Sequence, residues 1–274
     1  MSKFVIRDTP SAARFDTPSA ARPGVRVTLV RHAETVGNAA GVWQGRSDSE
    51  LSAAGKRQVE RLASRRASVE PSLVVSSDLG RTVATAAAFG RHERDPQWRE
   101  FDLGVWDGLS RSEIERQFPD ELSAARWGAD FSIEGGETMA GFMARVANAF
   151  DALVERLDDG DHAVVVTHGG VIQVLTSMLL ASNNGPPPLR GPDNTSLTSL
   201  VIDGPVRQVN VYNDVAHLGA LPAQTDGTRL LLFRHGESEA NVAGRWQGRS
   251  DSDLTPRGGP RPGLSPSPPP VWIG

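Results

Sequence analysis

The sequence predicts an α/β fold, a three-layer α/β/α sandwich in which helices cover both faces of a mostly parallel central sheet. Three runs rich in β-branched residues, at 25–30, 72–75 and 162–167, are nearly continuous in apolar side chains. Such runs are typical of strands buried on both faces. Helical patterns separate them, and alternating strands and helices favour a parallel sheet. With 274 residues, 38% of them hydrophobic, the chain can bury a sizeable core.

The segments between these runs carry helix signals. Ser52 is a candidate N-cap, and Ser110 with Glu113 three residues later has the spacing of a capping box. In 138–158, apolar residues recur every three or four positions, which gives a helix one apolar face. Helices are therefore predicted at 52–66, 80–89, 110–118, 138–158 and near 170–181.

A hairpin is predicted to close the sheet. Two β-like runs, 196–202 and 206–212, follow a loop rich in proline and glycine, and the turn sequence Asp-Gly-Pro at 203–205 lies between them. Before the first strand, the heptapeptide DTPSAAR occurs twice without apolar periodicity, which is typical of disorder. The chain is thus divided into a disordered leader at 1–24, a main domain at 25–212, a linker at 213–228, a repeated segment at 229–258 and a Pro/Gly-rich tail at 259–274.

Composition narrows the function classes. Lysine and arginine number 29 against 33 acidic residues, a net charge of -4, so no general basic surface favours nucleic acid or an anionic membrane. No run approaches the roughly 20 apolar residues that cross a bilayer, and no signal-peptide pattern is present, so we expect a cytoplasmic protein. The chain has no cysteine, which excludes disulfides and thiolate catalysis. Homo-oligomerisation is left open.

Cationic and imidazole side chains follow the three apolar runs. Arg31 and His32 come after the first run and Arg81 after the second. His168 comes after the third. Ligands of open α/β sheets bind beyond the carboxyl ends of the strands, so we expect these residues to converge. Arginine forks match phosphate oxygens, and a helix starting near Gly80 is expected to direct its positive end at the same anion. The sequence therefore predicts a pocket for a phosphoryl group.

Glu100 is the candidate general acid. It lies in the stretch WREFDLGVWDGLS at 98–110, which is predicted to be a pocket-lining loop and not a helix. A carboxyl group beside a phosphoryl dianion is pushed towards its protonated form and can then give a proton to a departing alcohol. Asp102 and Asp107 in the same loop are the alternatives.

Six motifs occur in an order that resembles the histidine phosphatase superfamily, which includes the cofactor-dependent phosphoglycerate mutases. Each motif alone is a weak signal, but together they span the main domain. The resemblance implies a phosphoglycerate mutase-like sheet. The motifs are LVRHAETVGN (29–38), GRSDSELSAAG (45–55), VSSDLGRTVATA (75–86), REFDLGVWDG (99–108), GGET (135–138) and VTHGGVI (166–172).

The resemblance implies roles for individual residues. His32 is the nucleophile that becomes a phosphohistidine, and Glu100 serves first as acid and then as base for water. No metal or organic cofactor is implied, and no metal-binding motif is present. The phosphoryl oxygens are held by Arg31, Asn38, Arg81 and His168.

The stretch 41–55 also resembles broad-specificity, sugar-phosphate and ribazole-phosphate phosphatases, which implies that Gln44 and Gly45 line the substrate side of the pocket. One departure is visible, because Ala33 stands where the family usually has glycine. Little loss is expected from this added methyl group.

The reaction is predicted to be hydrolysis of a small phosphorylated metabolite. Mutases of this type carry a longer, more basic insertion after the acid loop, whereas here 34 residues lead from Glu100 to Glu134 without an adjacent arginine pair. The first alternative is a 2,3-bisphosphoglycerate-dependent phosphoglycerate mutase. The second is a catalytically weak binding or scaffold protein, which the incomplete repeat described next makes plausible.

An internal repeat lies near the C-terminus. Of the 25 residues at 31–55, 15 are identical in 234–258 without a gap. Pro260 and Pro262 then fall where the first copy is helical, and each proline costs a helix about 3 kcal/mol. The segment ends without counterparts of Arg81, Glu100 and His168. We therefore predict a truncated, catalytically silent second copy.

Overall fold

The computed structural model describes residues 24–66, 70–126, 132–180, 189–219, 234–246 and 250–259. The predicted leader up to residue 23, the start of the repeated segment at 229–233 and the tail from residue 260, with Pro260 and Pro262, lie outside these ranges. The chain divides into two compact units, Met1–Ala223 and Gln224–Gly274.

The first unit contains a six-stranded mixed sheet with the order β3-β2-β4-β1-β5-β6. β1 pairs with β4, β4 with β2 and β2 with β3 in parallel, while β5 is antiparallel to β1 and to β6. The predicted α/β class with a mostly parallel, phosphoglycerate mutase-like sheet is confirmed. The strands are β1 Val25–Arg31, β2 Leu73–Ser76, β3 Glu93–Arg94, β4 His162–Thr167, β5 Leu197–Asp203 and β6 Val206–Asp214.

Helices begin where the sequence placed their caps. The Ser52 side chain accepts from Gly55 N at the start of α2, and Ser110 forms a capping box with Glu113 at the start of α4. The helices of this unit are α1 Val36–Ala39, α2 Ala53–Arg65, α3 Gly80–Ala86, α4 Arg111–Gln117, α5 Pro119–Arg126, α6 Met139–Val154 and α7 Gly169–Leu179.

Side chains that alternate along β4 build two cores, one on each face of the sheet. Val165 packs in the larger cluster with Phe142 of α6, and Val164 packs in the smaller cluster with Leu62 of α2. Every residue of β4 is buried. Full burial of one such apolar side chain stabilises the fold by about 1.5–3 kcal/mol. The side chains of β4 therefore hold the helices of both faces against the sheet. The carboxyl ends of β1, β2 and β4 consequently lie side by side at one edge.

Some elements differ from the sequence prediction. β3 has two residues, too few for a hydrophobic period, and α5 follows α4 after one residue, with Asp120 and Glu121 in its first turn. β6 continues to Asp214, beyond the predicted linker start at 213, because Asp214 still pairs with Leu197 of β5. The predicted hairpin is confirmed, and its turn uses Gly204 at a φ of +55°.

The second unit is described at 234–246 and 250–259. It holds one short helix, α8 Glu239–Val242, which begins with a capping box formed by Ser238 and Asn241. An isolated bridge pairs Ser238 with Leu254. In the described ranges of both units, no helix has the length and apolar character needed to span a membrane.

Candidate active site

His32 follows β1 directly and is 4% exposed. Its Nδ1 lies 2.8 Å from the carbonyl oxygen of Ala33. A carbonyl can only accept a hydrogen bond, so in the neutral ring Nδ1 carries the proton and Nε2 keeps a free lone pair. The backbone also fixes the residue, because His32 N donates to Thr167 O at 2.9 Å. The ring is therefore held as an oriented nucleophile.

Two buried histidines lie together at the ends of β1 and β4. The ring centroids of His32 and His168 are 5.3 Å apart, with planes at 60°. Burial, followed by the charges of Arg31 and Arg81, holds the pKa of His32 well below its usual range. Burial and the charge of Arg81 lower the pKa of His168 in the same way. Both rings are neutral at neutral pH, as nucleophilic attack by His32 requires.

Three buried polar atoms around these rings make no hydrogen bond within the described ranges: Arg31 Nε, Arg81 Nε and His168 Nδ1. Burial lowers the pKa of the Arg31 guanidinium. Another nitrogen of this group, Nη1, does have a partner and donates to Pro192 O at 2.7 Å. An unsatisfied buried polar atom costs about 1–3 kcal/mol and is rare in folded proteins. An anion with several oxygens supplies the partners these atoms need.

Arg81 is held by the loop at 45–48. Its Nη1 donates to Ser47 O at 2.7 Å, and its Nη2 donates to Gly45 O at 2.9 Å. The expectation that the N-terminus of α3 faces the phosphate is wrong for this structure. The N–H groups of Gly80 and Arg81 donate to the carboxylate of Asp48, which satisfies the helix end.

Asp107 organises the same loop. Its carboxylate accepts from Gly45 N at 3.0 Å, Arg46 N at 3.1 Å and Ser47 N at 2.7 Å. Burial would raise the pKa of Asp107, but these bonds and one from the Ser47 hydroxyl outweigh burial and lower it. Asp107 is thereby excluded as the alternative general acid, and it fixes the loop that grips Arg81.

Glu100 lies in the predicted loop and lines the cavity described below. Its Oε1 accepts from Phe101 N at 2.8 Å, and its Oε2 accepts from Gly170 N at 2.9 Å. A Cβ on Gly170 would overlap Oε1, so glycine is needed for this approach. The carboxyl group is thus fixed between its own loop and the start of α7.

Arg145 of α6 holds the backbone on which Glu100 sits. Arg145 Nη1 donates to Gln97 O at 2.7 Å and Arg99 O at 2.9 Å, and Nη2 donates to Glu100 O at 3.3 Å. Both carboxylate oxygens of Glu137 accept from the same guanidinium, at 2.9 and 2.8 Å. Asp102, the other alternative acid, lies 3.4 Å from Arg46 in an ion pair and does not line the cavity.

The cavity beside His32 has a volume of about 440 Å³. It contains the predicted residues Arg31, His32, Asn38, Gln44 and Glu100. Arg81 and His168 are not among the described residues that line it, but the charge of Arg81 lowers the pKa of His32 and the His168 ring lies 5.3 Å from the His32 ring. The rest of its described lining is Val42, Trp43, Phe101, Leu103, Trp106, Ile133, Met139, Phe142, Gly169, Gly170, Gln173, Val174, Gly191 and Pro192.

Gly45 lies outside this lining, in contrast to its predicted place on the substrate side. Its N–H binds Asp107 and its carbonyl binds Arg81. A Cβ there would come within 2.7 Å of Phe101 O and 2.8 Å of Leu103 N. Gly45 therefore permits two loops to meet, because a side chain would separate them.

Asn38 and Gln44 reach the cavity and also brace its entrance. Asn38 Oδ1 accepts from Thr35 N and from Asn194 Nδ2, both at 3.3 Å, and no partner in the described ranges takes the amide N–H groups of Asn38. Gln44 Oε1 accepts from the Thr35 hydroxyl at 2.6 Å, and its Nε2 donates to Ser49 at 2.9 Å. Asn38 can still donate to a ligand.

Sequence reasoning missed several contacts that complete the site. His168 Nε2 lies 3.0 Å from the Ser77 hydroxyl, and Asn194 Nδ2 donates to His32 O at 2.9 Å. Ser77 could have been noticed, since it directly follows β2, two residues after the second apolar run. Pro192 and Asn194 lie in a loop without a recognisable motif. Within the described residues, no cluster of three histidine or acidic side chains could hold a metal ion.

A comparison with models of protein families shows the family to which this chain belongs. The family model for the histidine phosphatase superfamily (branch 1) matches residues 27–215 and 230–260. The chain belongs to this superfamily. The first matched segment contains the whole constellation around His32, and the second covers the repeat.

Relatives within the superfamily include phosphatases. Glucosyl-3-phosphoglycerate phosphatase of Mycobacterium tuberculosis is 34% identical over 188 residues, which cover 64% of this chain and 84% of that protein. A protein of Yersinia enterocolitica named probable phosphoglycerate mutase GpmB is 36% identical over 168 residues, 57% of this chain and 75% of that protein.

Solved structures share the fold. A mycobacterial glucosyl-3-phosphoglycerate phosphatase in complex with VO3 has a TM-score of 0.63 and 32% identity, covering 69% of this chain and 98% of that one. Bacillus stearothermophilus YhfR has a TM-score of 0.65 and 28% identity, covering 71% and 99%. The chain is thus a phosphatase of the histidine phosphatase family, a hydrolase of phosphoric monoesters, as its motifs predict.

Proposed function

We propose that the chain hydrolyses small phosphomonoesters through a phosphohistidine at His32, without a metal ion. The observation that carries this proposal is the state of the His32 ring, which is buried, neutral and hydrogen-bonded through Nδ1 to Ala33 O. Arg31 and Arg81 lie close enough to depress its pKa, and both keep a buried Nε without a partner in the described ranges. A phosphoryl group beside Nε2 would satisfy these donors.

In the first step, Nε2 of His32 attacks phosphorus and the bond to the ester oxygen breaks. The departing alkoxide takes a proton from the carboxylic acid of Glu100, and the alcohol leaves. The guanidinium groups of Arg31 and Arg81 balance charge on the phosphoryl oxygens. The proton stays on Nδ1, which donates to Ala33 O throughout, so the phosphorylated ring remains oriented.

In the second step, water attacks phosphorus while its proton moves to the carboxylate of Glu100. The bond between phosphorus and Nε2 breaks, which restores neutral His32 and releases inorganic phosphate. Glu100 is then protonated again and ready for the next ester. The net reaction consumes one ester and one water and yields one alcohol and one phosphate.

The mutase alternative is supported by the name of the Yersinia relative. It requires a site for a second phosphate, and Arg31 is the one arginine or lysine among the described residues that line the cavity. This observation favours hydrolysis. The names of the mycobacterial relatives make glucosyl-3-phosphoglycerate a candidate substrate to be assayed beside simpler esters.

The segment 229–258 is, we propose, a truncated and catalytically silent copy of the first. It repeats Arg31 and His32 as Arg234 and His235, but His235 is exposed whereas His32 is buried. The domain limits, the cytoplasmic location and the absence of cofactors remain predictions from the sequence.

The test is to trap the intermediate. The protein is mixed with a 32P-labelled monoester and quenched in alkali, where phosphohistidine is stable, and labelled peptides are then mapped. We expect one label, on His32, together with release of free phosphate and no isomerisation of 3-phosphoglycerate. Stoichiometric isomerisation would support the mutase alternative. Absence of both label and turnover would support the binding or scaffold alternative.

A further inference from the structure

We propose that the site selects phosphomonoesters whose alcohol is uncharged and has a broad apolar face, such as an aromatic ring. This inference rests on the phosphatase activity proposed above and concerns the part of the cavity beyond the phosphoryl group. We argue it from three observations: aromatic residues line the cavity, two amide side chains in its wall are hydrogen-bonded to the protein, and few of its described lining residues are charged.

Two aromatic pairs are among the residues that line the cavity. The rings of Trp43 and Trp106 lie 6.1 Å apart at 72°, and those of Phe101 and Phe142 lie 5.2 Å apart at 55°. Trp106 and Phe142 are each 1% exposed. These edge-to-face and tilted arrangements fix the rings, and the exposed part of Trp43 adds to an apolar surface on which a flat group can rest.

Two of the amide side chains in the described wall, those of Gln44 and Gln173, already have protein partners, whereas the free N–H groups of Asn38 are assigned to the phosphoryl oxygens. Both ends of the Gln44 amide are hydrogen-bonded, to Thr35 and Ser49. Gln173 Nε2 donates to Leu189 O at 3.0 Å. A sugar or glycerol group would lose hydrogen bonds to water on entering, and the Gln44 amide and Gln173 Nε2 already have partners. A polar group buried without a new partner costs roughly 1–3 kcal/mol, whereas an apolar group gains from burial.

The charges also disfavour an acidic alcohol. Among the described lining residues, Arg31 and Glu100 carry charge, and Arg31 serves the phosphoryl group. Two further arginines near the acid loop are engaged elsewhere, since Arg46 pairs with Asp102 and Arg145 binds Glu137 at 2.8 Å. A carboxylate on the substrate would therefore enter an apolar space next to Glu100. The volume of about 440 Å³ accommodates a phosphoryl group and an aromatic ring.

The first experiment compares kcat/KM for 2-phenylethyl phosphate, glycerol 1-phosphate and 3-phosphoglycerate, all of which have alkyl leaving groups. We expect 2-phenylethyl phosphate to exceed the other two by about tenfold or more. If all three are hydrolysed at equal rates, or 3-phosphoglycerate is fastest, the inference on substrate class is wrong while the proposed phosphatase activity stands.

The second experiment does not depend on turnover. Phosphonates have a carbon–phosphorus bond that is not hydrolysed, and binding is followed through tryptophan fluorescence. We expect 2-phenylethylphosphonate to bind about tenfold more tightly than 3-phosphonopropionate, which carries a carboxylate. Tighter binding of 3-phosphonopropionate would overturn the inference, whether or not any ester is hydrolysed.

A matched pair of variants locates the preference. Val174 of α7 lines the cavity, whereas Val206 is 48% exposed at the start of β6. Val174→Asn is expected to lower kcat/KM for 2-phenylethyl phosphate about tenfold and to change that for glycerol 1-phosphate less than threefold. Val206→Asn should alter neither. Equal losses on both esters in Val174→Asn would contradict an apolar subsite.

Discussion

The segments 31–55 and 234–258 share local geometry but not surroundings. In both copies the histidine Nδ1 lies close to the next carbonyl oxygen, at 2.8 Å for His32 and 2.7 Å for His235. Each copy also has a capping box between a hydroxyl residue and an asparagine three positions later. These pairs are Thr35 with Asn38 and Ser238 with Asn241. Fifteen identical residues thus suffice to reproduce a loop. They do not suffice to make a site.

More distant contacts in the two copies also correspond. Ser52 Oγ donates to Glu34 Oε1 at 2.6 Å in the first copy, and Thr255 Oγ1 donates to Glu237 Oε1 at 2.8 Å in the second. What differs is burial, because His32 is 4% exposed whereas His235 is exposed. The comparison teaches that local sequence sets the ring orientation, while reactivity requires the sheet and the residues that follow it.

The largest expected difference between the copies is in catalysis. His32→Ala removes the attacking nitrogen and should lower kcat by at least about 1,000-fold. His235→Ala should leave kcat unchanged, because that ring is exposed. Steady-state phosphate release measures both, and circular dichroism checks that each variant is folded. Comparable losses in the two variants would show that the second copy takes part in the reaction.

The equivalent tryptophans provide the next test. Trp43 packs against the large core and contacts Trp106, whereas Trp246 is 86% exposed. Trp43→Ala should lower the free energy of unfolding by about 3 kcal/mol, since it removes a large packed side chain. Trp246→Ala should change it by less than about 0.5 kcal/mol. Urea denaturation measures both, and a large effect of Trp246→Ala would indicate a buried contact for the second copy.

The fold was predictable from the sequence because its strands are continuous apolar runs and its helices carry caps such as Ser52 and Ser110. The residues that end those runs, including His32 and His168, were predictable for the same reason. The contacts around Asp107 and Arg145 were not, since each joins segments distant in sequence through backbone groups that all residues share. The Asp48 cap of α3 was missed because a ligand was assigned to that helix end.

Acid should destabilise the first unit through its two neutral histidines. Their pKa values lie below the unfolded value of about 6.5 because burial opposes the charged form, so the unfolded chain binds protons that His32 and His168 do not. The contribution of these two histidines to the free energy of unfolding is present above pH 6.5 and is lost as the pH falls towards their native pKa values. The free energy of unfolding should therefore fall between pH 7.5 and pH 5.5, with a contribution from each histidine.

Urea unfolding at these two pH values measures the loss, and His32→Gln provides the comparison. This variant lacks one of the two groups, so its free energy of unfolding should fall less than that of the wild type over the same range. The difference between the two chains cancels carboxylate titrations common to both. Identical losses would mean that His32 takes up a proton in the native state.

The smallest expected effect is at the position where the first copy departs from the family. Ala33 is fully buried, its N–H donates to Thr85 Oγ1 at 2.9 Å, and its counterpart in the second copy is Gly236. Ala33→Gly removes one methyl group and adds backbone freedom to the unfolded chain, so it should cost about 1 kcal/mol of stability. The carbonyl that orients His32 remains, and kcat/KM should change less than threefold. A larger loss of activity at unchanged KM would show that the Ala33 methyl itself positions the ring of His32.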